Sequence, residues 1–212
     1  MINKWHIVEP KGKRKGCILA LPGRAIPGEM MEKFCFHMGL PQTMVAVFEP
    51  HELKWYPQPF GADDQTDAIA GLADAVVAVN KRIGILQRAF HLHRNQIAVV
   101  GFSAGSVLAL QLLAATKKPF AAVVGFAGAI FEPSAMPKAL TQTPVLLRHA
   151  IDDDCFSWEE RYVPMRQALL DNDYNLFVSE KMYGGHGIGV EDAHTIGKFI
   201  SPYLGYKEDL DT

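Results

Sequence analysis

Gly101-Phe102-Ser103-Ala104-Gly105 is the segment of this sequence most directly readable as chemistry. It stands between an apolar, β-branched run, Ile97–Val100, and a Leu/Ala-rich stretch, Val107–Ala115. G-x-S-x-G carries meaning in that context, where a strand must turn sharply into a helix. So tight a turn leaves no room for a Cβ on either flank of the serine, and Gly101 and Gly105 supply the room. Ser103 is then held at an exposed tip, with the helix start and the Ala104 N–H facing incoming negative charge. A glycine-rich nucleotide-binding turn is the competing reading. Neither G-x-G-x-x-G nor G-x-x-x-x-G-K-[ST] occurs, so the nucleophile is the better account.

A nucleophilic serine needs a base, and the chain order Ser…Asp/Glu…His places that base C-terminal to it. Three histidines follow Ser103: His149, His186 and His194. His186 lies in Tyr183-Gly-Gly-His-Gly187, a loop able to present an imidazole at the C-terminal edge of a sheet, where open α/β sheets hold their sites. His149 closes a strand and reads as structural, while His194 falls within a helix and reads as surface or packing. The acid is expected after the strand Val145–Arg148. Asp152-Asp153-Asp154 stands there, and residue type does not choose among the three. Three carboxylates near a histidine could instead hold a divalent cation. Neighbouring carboxylates point in different directions along a turn, however, and no D-x-D-x-[DN]-G loop appears, so an orienting partner for His186 is preferred. A second oxyanion donor is expected from the glycine-bearing loop within Leu19–Gly28.

The elements that must position these residues are legible as alternation. Strands are expected at Trp5–Val8, Cys17–Leu21, Val45–Phe48, Ile97–Phe102, Ala121–Phe126, Val145–Arg148 and Asn175–Val178. Helices are expected at Glu29–Met38, Asp64–Ala89, Ala104–Thr116, Ser157–Asn172 and Glu191–Leu204. Ile69, Leu72, Ala73, Val76, Val77 and Val79 give the second helix one apolar face at period 3.6. Gly84 is expected to break that helix, ending it before Ala89, or to break its packing partner, and Pro164 to mark the true first turn of the fourth. Short, nearly continuous apolar strands separated by long helices predict an α/β fold with a mainly parallel sheet covered on both faces. No linker or repeat divides residues 1–212, which are expected to form a single domain.

Composition narrows the function classes. The 212 residues are 49% hydrophobic and 21% charged, with 21 Lys and Arg against 23 Asp and Glu, for a formal charge of −2. That is the balance of a compact folded chain, and it gives no bulk electrostatic case for nucleic acid or an anionic membrane. The one basic run, Lys11–Gly16, reads as a solvated turn. Three cysteines without C-x-x-C spacing read as reduced thiols, and Met1–Pro10 reads as a strand rather than a leader, so a cytoplasmic location is expected. Asn95–Thr116 carries no charge, but its small and polar residues make it a strand running into a helix rather than a membrane span. No integral membrane association is expected.

With these residues assembled, the sequence resembles the phospholipase/carboxylesterase family of α/β-hydrolases, which includes acyl-protein thioesterases and small bacterial esterases. Leu21-Pro-Gly-Arg24 stands where the family has its Leu-His-Gly-x oxyanion loop. Pro50 through Trp55-Tyr56-Pro57 and Phe60 resembles a Pro…Trp-Tyr-Pro…Phe segment. Gly101–Ser106 matches the nucleophile elbow and Gly185-His186-Gly187 the terminal histidine motif, while His149-Ala-Ile-Asp-Asp153 resembles the H-G-x-x-D acid motif. The sequence departs from the family at Pro22, Ala25 and Ala104, and at Cys155-Phe156-Ser157. The resemblance implies an α/β-hydrolase fold of seven strands without a lid domain, and a Ser103–His186–Asp153 triad. It further implies oxyanion donors at the Arg24 and Ala104 N–H groups and a substrate site lined by Trp55, Tyr56, Phe60 and Phe156. The activity implied is a serine carboxylesterase acting on a small-molecule ester or thioester through an acyl-enzyme, with no cofactor or metal. The alternatives are an acyl-protein thioesterase or lysophospholipase, and a non-catalytic hydrolase-like binding protein. The oligomeric state is left open, with a homodimer among the options.

Overall fold

The computed structural model describes residues 2–62 and 64–206, so the ends of the expected 1–212 domain lie outside the described residues. Seven strands form one sheet: β1 (Ile2–Val8), β2 (Gly16–Leu21), β3 (Thr43–Pro50), β4 (Ile97–Phe102), β5 (Ala122–Phe126), β6 (Val145–Ala150) and β7 (Leu176–Lys181). Their spatial order is β1-β3-β2-β4-β5-β6-β7. β1 pairs antiparallel to β3, and every other pair is parallel. Five helices connect them: α1 (Gly28–Phe36), α2 (Thr66–Phe90), α3 (Ala104–Ala114), α4 (Val163–Asp171) and α5 (Val190–Ile200).

The apolar alternation within each strand divides the core in two. Cys17, Leu19 and Leu21 of β2 pack with Leu72, Val79 and Ile83 of α2 and with the buried leucines of α3. Ile18 and Ala20 face the other way, onto Met31 and Phe34 of α1 and Ile196 and Ile200 of α5. A sheet covered on both faces needs this doubled apolar content. The charge-free stretch seen in the sequence is explained likewise: α3 is buried all round except at Gln111, as befits a helix enclosed by sheet and helices. Among the described residues no helix is long and apolar enough to cross a membrane, and no insertion between strands approaches a lid domain.

One expected boundary is corrected. α2 does not end early at Gly84 but runs to Phe90, and His91 in the left-handed conformation (φ 50°) terminates it. The apolar face continues through Ile83 and Leu86, and a Cβ at Gly84 would meet only the Arg88 guanidinium at 3.6 Å, so the glycine marks no close approach. Its entropic cost of about 1 kcal/mol is too small to end a helix held by that buried face. Pro164 does sit in the first turn of α4, preceded by one π-helical turn over Trp158–Tyr162.

Candidate active site

The C-terminal ends of β2, β4, β6 and β7 bring four loops together. Ser103 occupies the turn from β4 into α3, with φ 52° and ψ −119°. A non-glycine residue at positive φ is costly, and surrounding structure must enforce it. The enforcement is steric: a Cβ on Gly101 would lie 2.2 Å from the Gly105 carbonyl oxygen, and one on Gly105 would lie 2.0 Å from that of Leu21. The Ser103 N–H also donates to the Phe126 carbonyl at 2.9 Å, tying the turn to the end of β5.

His186 sits on the loop between β7 and α5. Its Nε2 accepts the Ser103 hydroxyl at 2.8 Å, and its Nδ1–H faces both Asp153 oxygens at 3.1 and 3.0 Å. Ring nitrogen roles follow from these partners: a carboxylate can only accept from Nδ1, leaving Nε2 the lone pair for the serine. Asp153 is buried and also accepts from the Cys155 and Phe156 N–H groups, each at 2.9 Å. Burial pushes its carboxyl up. The hydrogen bonds from His186 and Phe156 outweigh burial, and His186 and His149 add to the pull whenever they carry a proton, so the carboxyl is held below its ordinary range. Phe102 stacks on one side of the His186 ring at 5.3 Å and Phe156 lies on another at 5.5 Å.

The three consecutive aspartates separate by contact. Asp153 meets the imidazole, Asp154 is exposed, and Asp152 accepts the N–H groups of Gly184 (3.2 Å) and Gly185 (2.8 Å) in the His186 loop. Asp192, at the start of α5, holds the far end of that loop. It accepts from Gly189 N–H at 3.1 Å, from Arg148 Nε at 2.9 Å and from Lys181 Nζ at 3.0 Å. His194 is exposed, and His149 is buried behind the acid loop.

The loop after β2 passes over the serine: a Cβ on Gly23 would lie 3.1 Å from the Ser103 Cβ. Among the described residues neither the Arg24 nor the Ala104 N–H has an acceptor. The Arg24 guanidinium donates to the carbonyls of Tyr56 (2.6 Å), Gln58 (2.7 Å) and Pro57 (3.3 Å), binding this loop to the segment before α2. Ala25 holds φ 61°, a left-handed conformation that glycine adopts more readily than alanine. Trp55 is buried, and its indole N–H donates to the Pro22 carbonyl at 2.7 Å, so it anchors the loop from beneath. Tyr56 is buried against Phe131. Phe60 stacks on Phe131 at 4.5 Å and meets Phe156 edge-on at 5.0 Å, and Phe156 in turn borders His186. Of the four aromatic candidates, Phe156 borders the imidazole and Phe60 packs behind it, while Trp55 and Tyr56 are buried and bonded to the loop after β2 through Pro22 and Arg24. Sequence reasoning missed Phe131 and the backbone bonds of Asp152. Phe131 had no motif around it, and two glycine N–H groups leave no mark in residue type.

Among the described residues, Asp153, Cys155 and His186 are the one group of potential metal ligands, their donor atoms lying within 4.8 Å of one another. The Asp153 and His186 donors are already engaged in the chain of hydrogen bonds to Ser103.

The profile of the Phospholipase/Carboxylesterase family matches residues 33–202. The chain belongs to that family. It is a hydrolase, and its fold is the α/β-hydrolase fold. Esterase PE8 shares 21% identity with it at a TM-score of 0.83, covering 93% of this chain and 97% of that one. The Bacillus cereus carboxylesterase shares 15% at a TM-score of 0.80, covering 94% of each chain. Acyl-protein thioesterase 2 of Zea mays shares 19% at a TM-score of 0.73, covering 95% of this chain and 99% of that one. At such identities the neighbours speak for the fold, and the reaction must be argued from the side chains.

Proposed function

We propose that this chain is a serine carboxylesterase working through Ser103, His186 and Asp153. The observation that carries the reading is the unbroken hydrogen-bond chain from the Asp153 carboxylate through His186 to the Ser103 hydroxyl, 2.8 Å from Nε2. In the reaction, His186 Nε2 takes the Ser103 proton as Oγ attacks the acyl carbonyl, and Asp153 stabilises the imidazolium that forms. The oxyanion of the tetrahedral intermediate is received by the Arg24 and Ala104 N–H groups, the second at the start of α3 where the helix dipole adds to its pull. His186 returns the proton to the leaving alkoxide. It then activates water against the acyl-enzyme.

Phe156 borders His186, and Phe60 and Phe131 pack behind it ring on ring, a cluster we read as the wall of a short acyl pocket. An acyl-protein thioesterase or a lysophospholipase would need an apolar groove running through that cluster. A panel of p-nitrophenyl esters and the matching thioesters, graded in acyl length, tests the reading. The expected result is a kcat/KM that peaks at short acyl esters and is abolished in Ser103→Ala. A maximum at long-chain thioesters would replace the carboxylesterase with the thioesterase.

A further inference from the structure

His149 is a buried, titratable side chain that the proposed mechanism does not use, at 1% exposure behind the acid loop. Its Nε2 lies 2.8 Å from the Phe156 carbonyl, and its ring stacks on Tyr162 at 4.6 Å and 16°. A carbonyl only accepts, so the proton of this imidazole is on Nε2. Nδ1 is then a bare acceptor, buried and without a partner among the described residues. The stacking platform is itself held, because the Tyr162 hydroxyl donates to Glu180 Oε1 at 2.7 Å. Glu180 stands opposite His149 in the β6–β7 register and also receives Arg166 Nη1 at 2.8 Å.

The partner of this imidazole is a joint. Phe156 gives its N–H to Asp153 Oδ1, its carbonyl to His149, and its ring to the flank of His186. The turn between them is exposed at Ile151, Asp152, Asp154 and Cys155, so its return leg is anchored at Phe156, by the ring contacts with Phe60 and His186 and by the carbonyl bond to His149. We propose that His149 is a positioning residue, whose Nε2–H bond to the Phe156 carbonyl holds the turn that presents Asp153 to His186. The role rests on the triad reading above. Removing the donor leaves the Phe156 carbonyl without its partner and lets the Phe156 backbone shift, and with it one of the two N–H groups that aim the carboxylate. Misplacement by about 1 Å can cost on the order of 100-fold in rate without touching a reacting atom.

The test compares His149→Phe, which keeps the ring on Tyr162 and loses the donor, with His149→Gln, whose amide N–H can stand where Nε2–H was. Rates are expressed per serine labelled by a fluorophosphonate, so that misfolded protein does not count. The expected result is a kcat reduced by about 10- to 100-fold in His149→Phe with KM within about twofold of the parent, and a loss of no more than about threefold in His149→Gln. A packing role alone predicts no loss per labelled site, or equal loss in both variants, and either result overturns the proposal. Ser103→Ala runs alongside. Turnover there would overturn the triad itself, and this role with it, whatever the His149 variants do.

Discussion

The serine and the histidine that faces it are held by different physics. Ser103 is fixed by exclusion: two glycines pack backbone against backbone at about van der Waals limits, and the strained φ of 52° has no room to relax. His186 is fixed by polar attachment. Its loop is partly exposed and bound by Asp152 at one end and Asp192 at the other, through backbone N–H groups. One side of the site is therefore rigid by packing, and the other is a loop whose geometry can be changed one hydrogen bond at a time. The turn that carries Ser103 should tolerate almost no substitution, while the histidine loop should degrade by degrees.

The sharpest way to break this contrast is a pair of glycine substitutions. Gly105→Ala would drive a Cβ to 2.0 Å from the Leu21 carbonyl oxygen, and we expect a loss of about 4 kcal/mol or more in urea unfolding, or no soluble protein. Gly185 holds a left-handed φ of 51°, but a Cβ there meets nothing within 4 Å. Gly185→Ala should cost only the left-handed backbone, about 1 kcal/mol. Equal losses would dissolve the distinction. Next come the aspartates, assayed as single variants. Asp153→Asn should lower kcat by about 10⁴-fold, the loss expected when a triad acid no longer sets the imidazole tautomer. Asp152→Ala, which takes the acceptor from two backbone N–H groups at about 1 kcal/mol each, should cost about 10-fold or less, and Asp154→Asn almost nothing. If Asp152 or Asp154 proves the most damaging position, Asp153 is not the acid.

The smallest expected effect is of pH on stability. Burial, the largest influence, holds His149 below its ordinary value of 6.5, with the Phe156 and Asp153 contacts opposing it. Asp153 also lies below its ordinary 3.8. In both cases the unfolded chain binds the proton more readily, so each stabilises the fold fully above its unfolded value and loses that contribution as pH falls towards the folded one. The urea midpoint should therefore begin to decline below about pH 6.5, and decline less in His149→Gln. An unchanged slope in that variant would assign the decline to other groups.

The two sides of the site also differed in how far they could be read from sequence. The elbow was legible because its geometry is written in residue type: only glycine fits at 101 and 105, and the flanking strand and helix have their own periodicities. His186 was legible through its place after the last strand. Asp153 was not separable from its neighbours by type, because the choice among them is made by the direction of successive side chains around a turn. The burial of Trp55 and Tyr56 was hidden for a similar reason, since an aromatic side chain fits a pocket wall and a loop anchor equally well. The sheet itself followed from alternation. The error at the end of α2 came from weighing one glycine above a continuing apolar face.

The central claim is that Ser103 is the acylated nucleophile, activated by His186. Intact-protein and peptide mass spectrometry after reaction with a fluorophosphonate tests it most directly. The account predicts one adduct per chain, located on Ser103, absent in Ser103→Ala and formed far more slowly in His186→Ala. An adduct that persists in Ser103→Ala, or labelling of Ser103 at the parent's rate without His186, would contradict it.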